Sequence, residues 1–361
     1  MNLPDFPWDR LAPAKQKAAA HPDGIVDLSI GTPVDPTPAV VRRALTEFAD
    51  APGYPATVGT PALREAMAEW CTDRLGAPTG VDGVLPSIGS KELIAWLPTL
   101  LGVGSGDTIV VPALAYPTYE VGARLAGATA VRSDSTTALG PQAPALMWVN
   151  SPSNPTGRVL PREHLAKVVS WARERGTTVV SDECYVELGW DTEPVSVLHP
   201  DVCHGDHTGI LAIHSLSKRS NLAGYRAGFV AGDPALIQRL LEVRRHAGMM
   251  VPAPVQAAMT VALGDRQHVA EQRDRYRRRR EVLRAAVTAA GFRVDHSEAG
   301  LYLWATRGDD CWSAVDFLAE RGILVAPGEF YGPTGAQHVR IALTATDERV
   351  EAAAIRLASK S

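Results

Sequence analysis

Short apolar runs alternate with amphipathic helical patterns in the middle of the chain, from about residue 84 to residue 232. Continuous apolar runs predict strands that are buried on both faces, as in a parallel sheet covered by helices. The predicted strands are residues 108–112, 145–150, 178–182, 210–214 and 227–232. The predicted helices are residues 91–101, 162–175 and 234–247, with Gly102 and Gly176 as stop signals. We therefore expect a large α/β domain with a mostly parallel sheet flanked by helices.

A long helical pattern at residues 267–290 marks a change, because the segments after it no longer alternate regularly. They comprise predicted strands at residues 292–296, 301–305 and 339–343, a helix near residues 313–321 and a last helix. This order predicts a smaller α+β unit. The proline-rich N-terminal segment cannot close a core alone, so we expect it to pack on that unit. The predicted division is a large domain of residues 46–283 and a small domain of residues 1–45 and 284–361.

Composition is that of an ordinary globular protein and argues against several classes of function. Of 361 residues, 45% are hydrophobic and 21% are charged, with a net charge of -4, whereas a dedicated nucleic-acid binder is usually basic. The basic run at residues 277–280 lies among acidic residues and indicates a solvated helix face. No apolar window suits a membrane helix, and residues 1–5 lack a basic region and an apolar signal core. We expect a cytoplasmic protein without nucleic-acid or membrane partners.

The four cysteines lie far apart in the sequence and form no C-x-x-C pair. We therefore expect reduced thiols, and neither a disulfide framework nor a zinc ribbon. The stretch Cys203-His204-Gly205-Asp206-His207 lacks a second ligand cluster at zinc spacing, so no metal site is predicted.

The stretch Ser215-Leu216-Ser217-Lys218 sets one lysine in a turn after an apolar run, and Arg226 follows eight residues later. The hydroxyl and the guanidinium are spaced to suit a phosphate group, and a lysine so placed can form a Schiff base with a phosphorylated aldehyde. That is the chemistry of pyridoxal phosphate (PLP). By itself, S-x-x-K leaves two alternatives open: a serine nucleophile of the β-lactamase type and an ordinary exposed turn lysine.

PLP also needs an anion at its pyridine nitrogen and donors at its phenolic oxygen. Asp182 ends an apolar strand, at the edge of an α/β sheet where ligands bind, and its carboxylate can pair with the pyridinium. Tyr185 and Asn154 can donate to the phenolic oxygen. The structural alternatives are a capping or ion-paired aspartate, a half-buried core tyrosine and an asparagine that serves only the turn.

Gly89-Ser90-Lys91 ends a loop and opens a helix, where free backbone N–H groups and the helix dipole favour a phosphate. Ser90 can equally be a plain N-cap. The segment does not match the Walker pattern, and the glycines of residues 102–106 follow a helix, the wrong context for a dinucleotide fingerprint. Tyr116 ends a further strand, where it either stacks on the cofactor ring or packs in the core.

The motifs G-S-K, Y-P-x-Y, N-P-T-G, S-D-E-x-Y, S-L-S-K and R-x-G-F occur in this order. Together they resemble the class I and II aminotransferases of PLP fold type I, over essentially the whole chain. The resemblance implies three catalytic residues: Lys218, which binds the cofactor covalently, Asp182 at the pyridinium, and Tyr185 at the phenolic oxygen with Asn154. Tyr116 would lie on the ring face. The implied phosphate-binding residues are Gly89, Ser90, Lys91, Ser215 and Arg226.

The same resemblance implies a substrate site shared between two subunits. Arg340 matches the family arginine that grips the substrate α-carboxylate, a task suited to a forked guanidinium, and Gly31 and Asn154 would lie beside the substrate. Without the family, Arg340 indicates a strand-end surface charge and Gly31 a turn glycine. Tyr54 matches the tyrosine that such enzymes supply to the neighbouring subunit's phosphate, which implies a homodimer. Residues 32–36 depart from the acid or asparagine that often follows the family glycine, so the resemblance defines the cofactor site but not the substrate pocket.

A more specific resemblance is to the actinobacterial N-succinyldiaminopimelate aminotransferases, through residues 3–9, 21–28, 31–36 and 51–55. It implies that the protein exchanges an amino group between glutamate and N-succinyl-2-amino-6-oxopimelate in lysine and cell-wall synthesis. The alternatives are the same machinery acting on aspartate, alanine or aromatic amino acids, and a PLP carbon–sulfur lyase. PLP-binding transcription regulators share the fold, but too few residues precede the aminotransferase-like region for their winged-helix domain.

Overall fold

The computed structural model describes Leu3 and residues 6–141 and 143–359. Residues 4 and 5, within the stretch 3–9 that carries part of the resemblance, lie outside the described residues, as do residues 1 and 2. Numbered in chain order, the strands are β1 (Val26–Asp27), β2 (Val84–Ile88), β3 (Thr108–Val111), β4 (Thr129–Arg132), β5 (Leu146–Asn150), β6 (Thr178–Asp182), β7 (Ile210–Ser215), β8 (Ala227–Gly232), β9 (Arg293–Asp295), β10 (Tyr302–Thr306), β11 (Ile323–Leu324), β12 (Ala326–Pro327) and β13 (Val339–Ala342). The α-helices are α1 (Ala12–Ala19), α2 (Ala39–Glu47), α3 (Pro61–Leu75), α4 (Ser90–Leu100), α5 (Thr118–Ala126), α6 (Arg162–Arg173), α7 (Pro200–Cys203), α8 (Leu216–Arg219), α9 (Pro234–His246), α10 (Ala253–Gly264), α11 (Gln267–Ala289), α12 (Cys311–Ala319) and α13 (Asp347–Ala358). None of these described helices has the length and apolar character needed to span a membrane.

Seven of the described strands form one sheet in the order β2-β8-β7-β6-β5-β3-β4. Neighbouring strands run parallel except at β8, which is antiparallel to both β2 and β7. The expected mostly parallel α/β sheet is therefore confirmed. Two of its strands lie outside the predicted ones. Strand β2 contains Pro86, which is tolerated because β2 is an edge strand, and β4 at the other edge is partly exposed and lacks a continuous apolar run.

Helices cover both faces of this sheet, and β5 shows why its strands are apolar throughout. Met147 and Val149 belong to the core formed with α3, α6 and α10, whereas Leu146 and Trp148 belong to the core formed with α4, α5 and α9. Successive side chains of a strand face opposite sides of the sheet, so both sets must be apolar. The parallel pairing of β5, β6 and β7 brings their carboxyl ends to one edge.

The smaller unit contains an antiparallel sheet in the order β12-β13-β10-β9. Strand β1 pairs in parallel with β11, with Val26 opposite Ile323, so the N-terminal segment packs on the C-terminal unit. Helix α2 packs instead on α10, and Val41 belongs to the core of the large sheet. The division at residues 46 and 283 stays a prediction, and the packing of α2 favours a boundary before residue 39.

Candidate active site

One cavity of about 490 Å³ opens where the ends of β6 and β7 and the loop after β5 face the small unit. Ligands bind at this edge of open α/β sheets. Tyr302 of β10 and Arg340 of β13 form its wall on the side of the small unit. The predicted site residues that line the cavity are Gly31, Ser90, Lys91, Tyr116, Asn154, Asp182, Tyr185, Ser215, Lys218, Arg226 and Arg340. The fold thus brings together residues from distant parts of the chain, and their individual roles stay predictions.

Lys218 lies on the short helix α8, directly after the fully buried strand β7. Ser215 caps this helix, its Oγ accepting a hydrogen bond from the backbone N–H of Ser217 at 3.1 Å. The half-buried ammonium of Lys218 lines the cavity and forms no ion pair with any residue that the structure describes. An amine held beside a cavity without a counter-ion is available for chemistry there.

Asp182 ends β6 and is buried, so its carboxylate has lost most of its hydration. Burial raises the pKa of this carboxyl, while hydrogen bonds from the Cys184 backbone N–H (3.2 Å) and Tyr119 Oη (2.8 Å), together with the charge of Lys218, oppose the rise. A buried carboxylate is stabilised most by a cationic partner. Asp182 therefore suits a protonated ring nitrogen, the role predicted for it.

Lys91, Lys218 and Arg226 line the cavity, with Arg226 close to Lys91, and none of them forms an ion pair within the described residues. Ser90 begins α4, whose first backbone N–H groups have no partner inside the helix. Gly89 precedes it with φ of +72°, and a Cβ there would lie 2.8 Å from the Arg226 guanidinium carbon. The glycine leaves room for the guanidinium beside the helix N-terminus. Cations without a counter-ion at a helix N-terminus fit the phosphate of PLP.

The two donors predicted for the phenolic oxygen each contact a residue of the small unit. Tyr185 Oη lies 3.2 Å from Tyr302 Oη, and the ring planes meet at 78°. Arg340 Nη1 donates to Asn154 Oδ1 at 2.8 Å, which leaves the Asn154 amide group as a donor. Burial raises the pKa of the Tyr185 hydroxyl, so this hydroxyl stays protonated and able to donate.

Arg340 is buried on β13, although its strand-end position in the sequence alone indicated a surface charge. Its Nη2 donates to the backbone carbonyl of Ser29 at 2.7 Å. Its guanidinium carbon lies 4.0 Å from the ring centre of Tyr302 and 4.9 Å from that of Tyr331. These contacts hold a forked cation in the cavity, which suits a carboxylate.

Two predicted cofactor residues do not line the cavity. Gly89 lies behind it and contributes only backbone and space. The side chain of Tyr54 is 99% exposed and lies away from the cavity of its own chain. The role predicted for Tyr54 is in the neighbouring subunit's site, and it stays a prediction.

Sequence reasoning missed three residues of the site. Tyr119 binds Asp182 and stands three residues after Tyr116 in the same motif, but Tyr116 precedes helix α5 and no periodicity links the two. Cys184 and Tyr302 also line the cavity. Tyr302 lies on a predicted strand, but every residue of that strand is buried, so no alternation shows which side chains face the site.

Glu183 and His214 form a buried pair next to the site, with His214 Nε2 3.9 Å from Glu183 Oε2. Burial raises the pKa of Glu183 to about 7 and lowers the pKa of His214 to about 3, so both are neutral in the folded protein between pH 4.5 and 6.5. In the unfolded chain, with ordinary pKa values of 4.5 and 6.5, both are charged in that window. On unfolding in this window, Glu183 releases a proton and His214 binds one. The free energy of unfolding therefore depends little on pH through this pair.

Glu183→Gln should expose the contribution of His214 to stability. The unfolded variant binds more protons at His214 than the folded one below pH 6.5, so its free energy of unfolding should fall as the pH drops towards 4.5. The expected slope is up to about 1.4 kcal/mol per pH unit steeper than in the native chain. Denaturant unfolding across this range measures it, with Glu163→Gln on the exposed start of α6 as the control. Parallel profiles for Glu183→Gln and the native chain would show that Glu183 is not neutral in the folded protein.

The cavity combines a lysine, a buried aspartate and cations that are unpaired within the described part of the chain, at the carboxyl edge of an α/β sheet. This combination is typical of the PLP-dependent transferases of fold type I. The model of the family "Aminotransferase class I and II" matches residues 23–357, and the chain belongs to that family. Its members depend on PLP and act on amino acids and 2-oxo acids. The predicted family, fold type and cofactor are thereby confirmed.

Named relatives cover nearly the whole chain. It is 66% identical over 357 residues to the probable aminotransferase Rv1178 of Mycobacterium tuberculosis, across 99% of this chain and 85% of that protein. It is 63% identical over 356 residues to the 4-dedimethylamino-4-oxo-anhydrotetracycline transaminase OxyQ of Streptomyces rimosus, across 99% of each. An LL-diaminopimelate aminotransferase of Dehalococcoides mccartyi is 32% identical over 381 residues, across 99% of this chain and 96% of that protein.

Solved structures that superpose closely on this chain are also aminotransferases. An aminotransferase from Neisseria meningitidis is 33% identical and superposes with a TM-score of 0.89, across 99% of this chain and 98% of that one. A probable N-succinyldiaminopimelate aminotransferase from Thermus thermophilus is 29% identical with a TM-score of 0.86, across 98% of this chain and 99% of that one. The protein is a PLP-dependent aminotransferase.

Proposed function

We propose that this aminotransferase exchanges an amino group between glutamate and N-succinyl-2-amino-6-oxopimelate, giving 2-oxoglutarate and N-succinyl-LL-diaminopimelate for lysine and diaminopimelate biosynthesis. The observation that carries the proposal is the meeting of Lys218, Asp182 and Arg340 in one cavity, since transamination needs an amine, an anion and a carboxylate-binding cation. The choice of substrate is supported by the names of the relatives from D. mccartyi and T. thermophilus.

Bound PLP supplies an electron sink that stabilises negative charge at the substrate α-carbon. In the proposal, Lys218 moves the proton at that carbon, because it is the cavity amine next to Asp182 and has no described counter-ion. Asp182 keeps the ring nitrogen protonated through its buried negative charge. Tyr185 and Asn154 hold the phenolic oxygen with donated hydrogen bonds.

Binding is divided between the two ends of the cavity. Ser90, Lys91, Ser215 and Arg226 would hold the phosphate, since they supply backbone N–H groups of the first turn of α4, two hydroxyls and the guanidinium of Arg226. Arg340 would bind the substrate α-carboxylate with both terminal nitrogens, because a guanidinium has five N–H donors and the contacts to Asn154 and Ser29 use only two.

The ammonium of Lys91 is the feature of the cavity that supports a substrate with a second carboxylate. It lies 5.6 Å from the ring centre of Phe6 and has no anionic partner among the described residues. Such an exposed cation–π contact is worth about 0.5–1 kcal/mol, which leaves the charge available for a stronger ion pair. A distal carboxylate of N-succinyl-2-amino-6-oxopimelate would provide that pair.

A second candidate function is transamination of an aromatic or ring-bearing oxo compound. It rests on an apolar part of the cavity wall, formed by Phe6, Trp8, Ile30, Ile94 and Val121. The relative OxyQ is named for a 4-oxo-anhydrotetracycline compound, which supports this alternative. Apolar walls favour substrates that bury apolar surface, at about 25 cal/mol per Å².

A coupled assay with glutamate as amino donor separates the candidates. We expect N-succinyl-2-amino-6-oxopimelate to give a higher kcat/KM than oxaloacetate, pyruvate or phenylpyruvate. Lys218→Ala protein, purified in the same way, controls for contaminating aminotransferases. If phenylpyruvate is the better acceptor, the second candidate replaces the first, and turnover of none of the four would reject both.

We also propose a homodimer in which Tyr54 donates to the phosphate bound by the neighbouring subunit, since this tyrosine is fully exposed in its own chain. Tyr54→Phe should weaken PLP retention by about tenfold to a hundredfold, because a hydrogen bond to a charged group is worth about 1.5–3 kcal/mol. Equilibrium dialysis measures retention, and sedimentation should show a dimer for both proteins. A fully active monomer would contradict the shared site.

A further inference from the structure

Tyr302 contacts three of the predicted site residues at once, although no pattern in the sequence indicates a role for it. It is buried on β10 and lines the cavity. Its hydroxyl lies 3.2 Å from that of Tyr185, its ring lies 4.0 Å from the Arg340 guanidinium carbon, and a Cβ on Gly31 would overlap its hydroxyl. One side chain therefore joins the cofactor end, the carboxylate-binding end and the N-terminal segment.

We propose that Tyr302 is a positioning residue that sets the donor direction of Tyr185 with its hydroxyl and orients Arg340 with its ring. The proposal rests on the proposed roles of Tyr185 at the cofactor and of Arg340 at the substrate carboxylate. It does not depend on which 2-oxo acid is the acceptor.

The hydroxyl part of the proposal, that Tyr302 directs the hydrogen bond donated by Tyr185, follows from the number of hydroxyl protons available. Tyr185 has one hydroxyl proton, and it can donate to the cofactor only if it does not donate to Tyr302. Tyr302 Oη is then the donor within reach of Tyr185 Oη, at 3.2 Å. A hydroxyl that accepts a hydrogen bond becomes a stronger donor, so Tyr302 strengthens the bond from Tyr185 to the phenolic oxygen.

The ring part of the proposal is that the aromatic ring of Tyr302 orients the guanidinium of Arg340. Its guanidinium carbon lies over the rings of Tyr302 at 4.0 Å and Tyr331 at 4.9 Å, while Nη1 and Nη2 donate to Asn154 and Ser29. The nearer ring is that of Tyr302, so it makes the larger contribution to the orientation of the fork. The ring can orient Arg340 without its hydroxyl, so the two parts of the proposal can be tested separately.

The Gly31 contact links the N-terminal segment to the same side chain. The three atoms nearest to a Cβ built on Gly31 all belong to Tyr302, with Cζ at 2.9 Å and Cε1 at 3.0 Å. A side chain at residue 31 would therefore displace Tyr302 before it met any other residue that the structure describes. The glycine at this position is explained by the room that Tyr302 needs.

Tyr302→Phe tests the hydroxyl in the holoenzyme. Because the variant weakens donation to the phenolic oxygen, the pH at which the bound cofactor changes its absorption spectrum should rise by about half a unit to one unit. Tyr331→Phe is the matched control, since the Tyr331 hydroxyl has no hydrogen-bond partner among the described residues. An unmoved transition in Tyr302→Phe, or an equal shift in Tyr331→Phe, would overturn the hydroxyl part.

Tyr302→Leu tests the ring. The KM for glutamate should rise about threefold to thirtyfold beyond its value in Tyr302→Phe, because the cation–π contact to Arg340 is lost. Equal KM values in the Phe and Leu variants would overturn the ring part. If the acceptor proposed above is wrong, both measurements still stand, because they use only the bound cofactor and glutamate.

A substitution cycle tests the Gly31 contact without any catalytic readout. In the full-length chain, Gly31→Ala should lower the melting temperature by about 2–4 °C, and by less when Tyr302→Phe is present, because the overlapping hydroxyl is gone. Gly80→Ala, whose added methyl would have no described atom within 4 Å, should leave the melting temperature unchanged. Strictly additive effects of Gly31→Ala and Tyr302→Phe would show that the two residues are not coupled.

Discussion

Lys218→Ala protein should lose nearly all transamination while still binding PLP without a covalent link. The substitution removes the amine proposed to move the proton at the substrate α-carbon, and a positioned general base contributes about 10²-fold to 10⁴-fold. The proposed phosphate contacts from α4 and Arg226 are unchanged by the substitution, so the cofactor should stay bound. The rate of the half reaction with glutamate, followed by the cofactor spectrum, measures the loss.

Lys167→Ala is the matched control, because Lys167 is an exposed lysine on α6, away from the cavity. It should keep the native rate. Borohydride reduction of the native holoenzyme should attach the cofactor to the peptide that contains Lys218. Attachment to another lysine, or a rate in Lys218→Ala close to that of the native protein, would contradict the assignment.

Asp182→Asn should reduce kcat by about 10²-fold or more while leaving the fold intact. The amide keeps the shape of the side chain but removes the negative charge that is proposed to sustain the protonated ring nitrogen. Each pKa unit lost by that nitrogen corresponds to about 1.4 kcal/mol, or roughly tenfold in an equilibrium constant. Because the site is buried, a charge acts there with little screening by solvent. Steady-state kinetics with glutamate measure the loss.

Stability provides the control for this variant. Burial raises the pKa of Asp182, which means that the ionised carboxylate is costly in the protein without cofactor. Asp182→Asn should therefore be at least as stable as the native chain when PLP is absent. Asp134→Asn, at an exposed position after β4, should change neither the rate nor the cofactor spectrum. Near-native turnover by Asp182→Asn would reject the proposed role.

The cofactor end of the site could be predicted because its residues stand next to their own strands. Asp182 ends β6, Lys218 follows β7, and Asn154 belongs to the loop after β5. Apolar runs predict the strands, and parallel strands place their carboxyl ends on one edge of the sheet. Residues at successive strand ends therefore meet, whatever the details of packing.

The substrate end could not be predicted in the same way, because its contacts join distant segments. Arg340 donates to Ser29, which is 311 residues away in the chain, and the neighbour that a side chain at Gly31 would meet is Tyr302. Sequence spacing carries no information about such contacts, since they depend on how β10 and β13 of the small unit pack over the large sheet. The family resemblance supplied Arg340 and Gly31, but not the tyrosine between them.

What the sequence by itself determined is five of the seven strands of the large sheet and the identity of the groups at their ends, because these follow from local periodicity and local chemistry. The tertiary structure alone decided that Tyr119 binds Asp182, that Tyr302 lies between Tyr185 and Arg340, and that α2 packs on the large core. The physical reason is that every residue of a strand such as β10 is buried, so the sequence shows no alternation that would tell which side chains face the site. The partner of each buried side chain is set by the packing between helices and strands. That packing leaves no periodic pattern in the sequence.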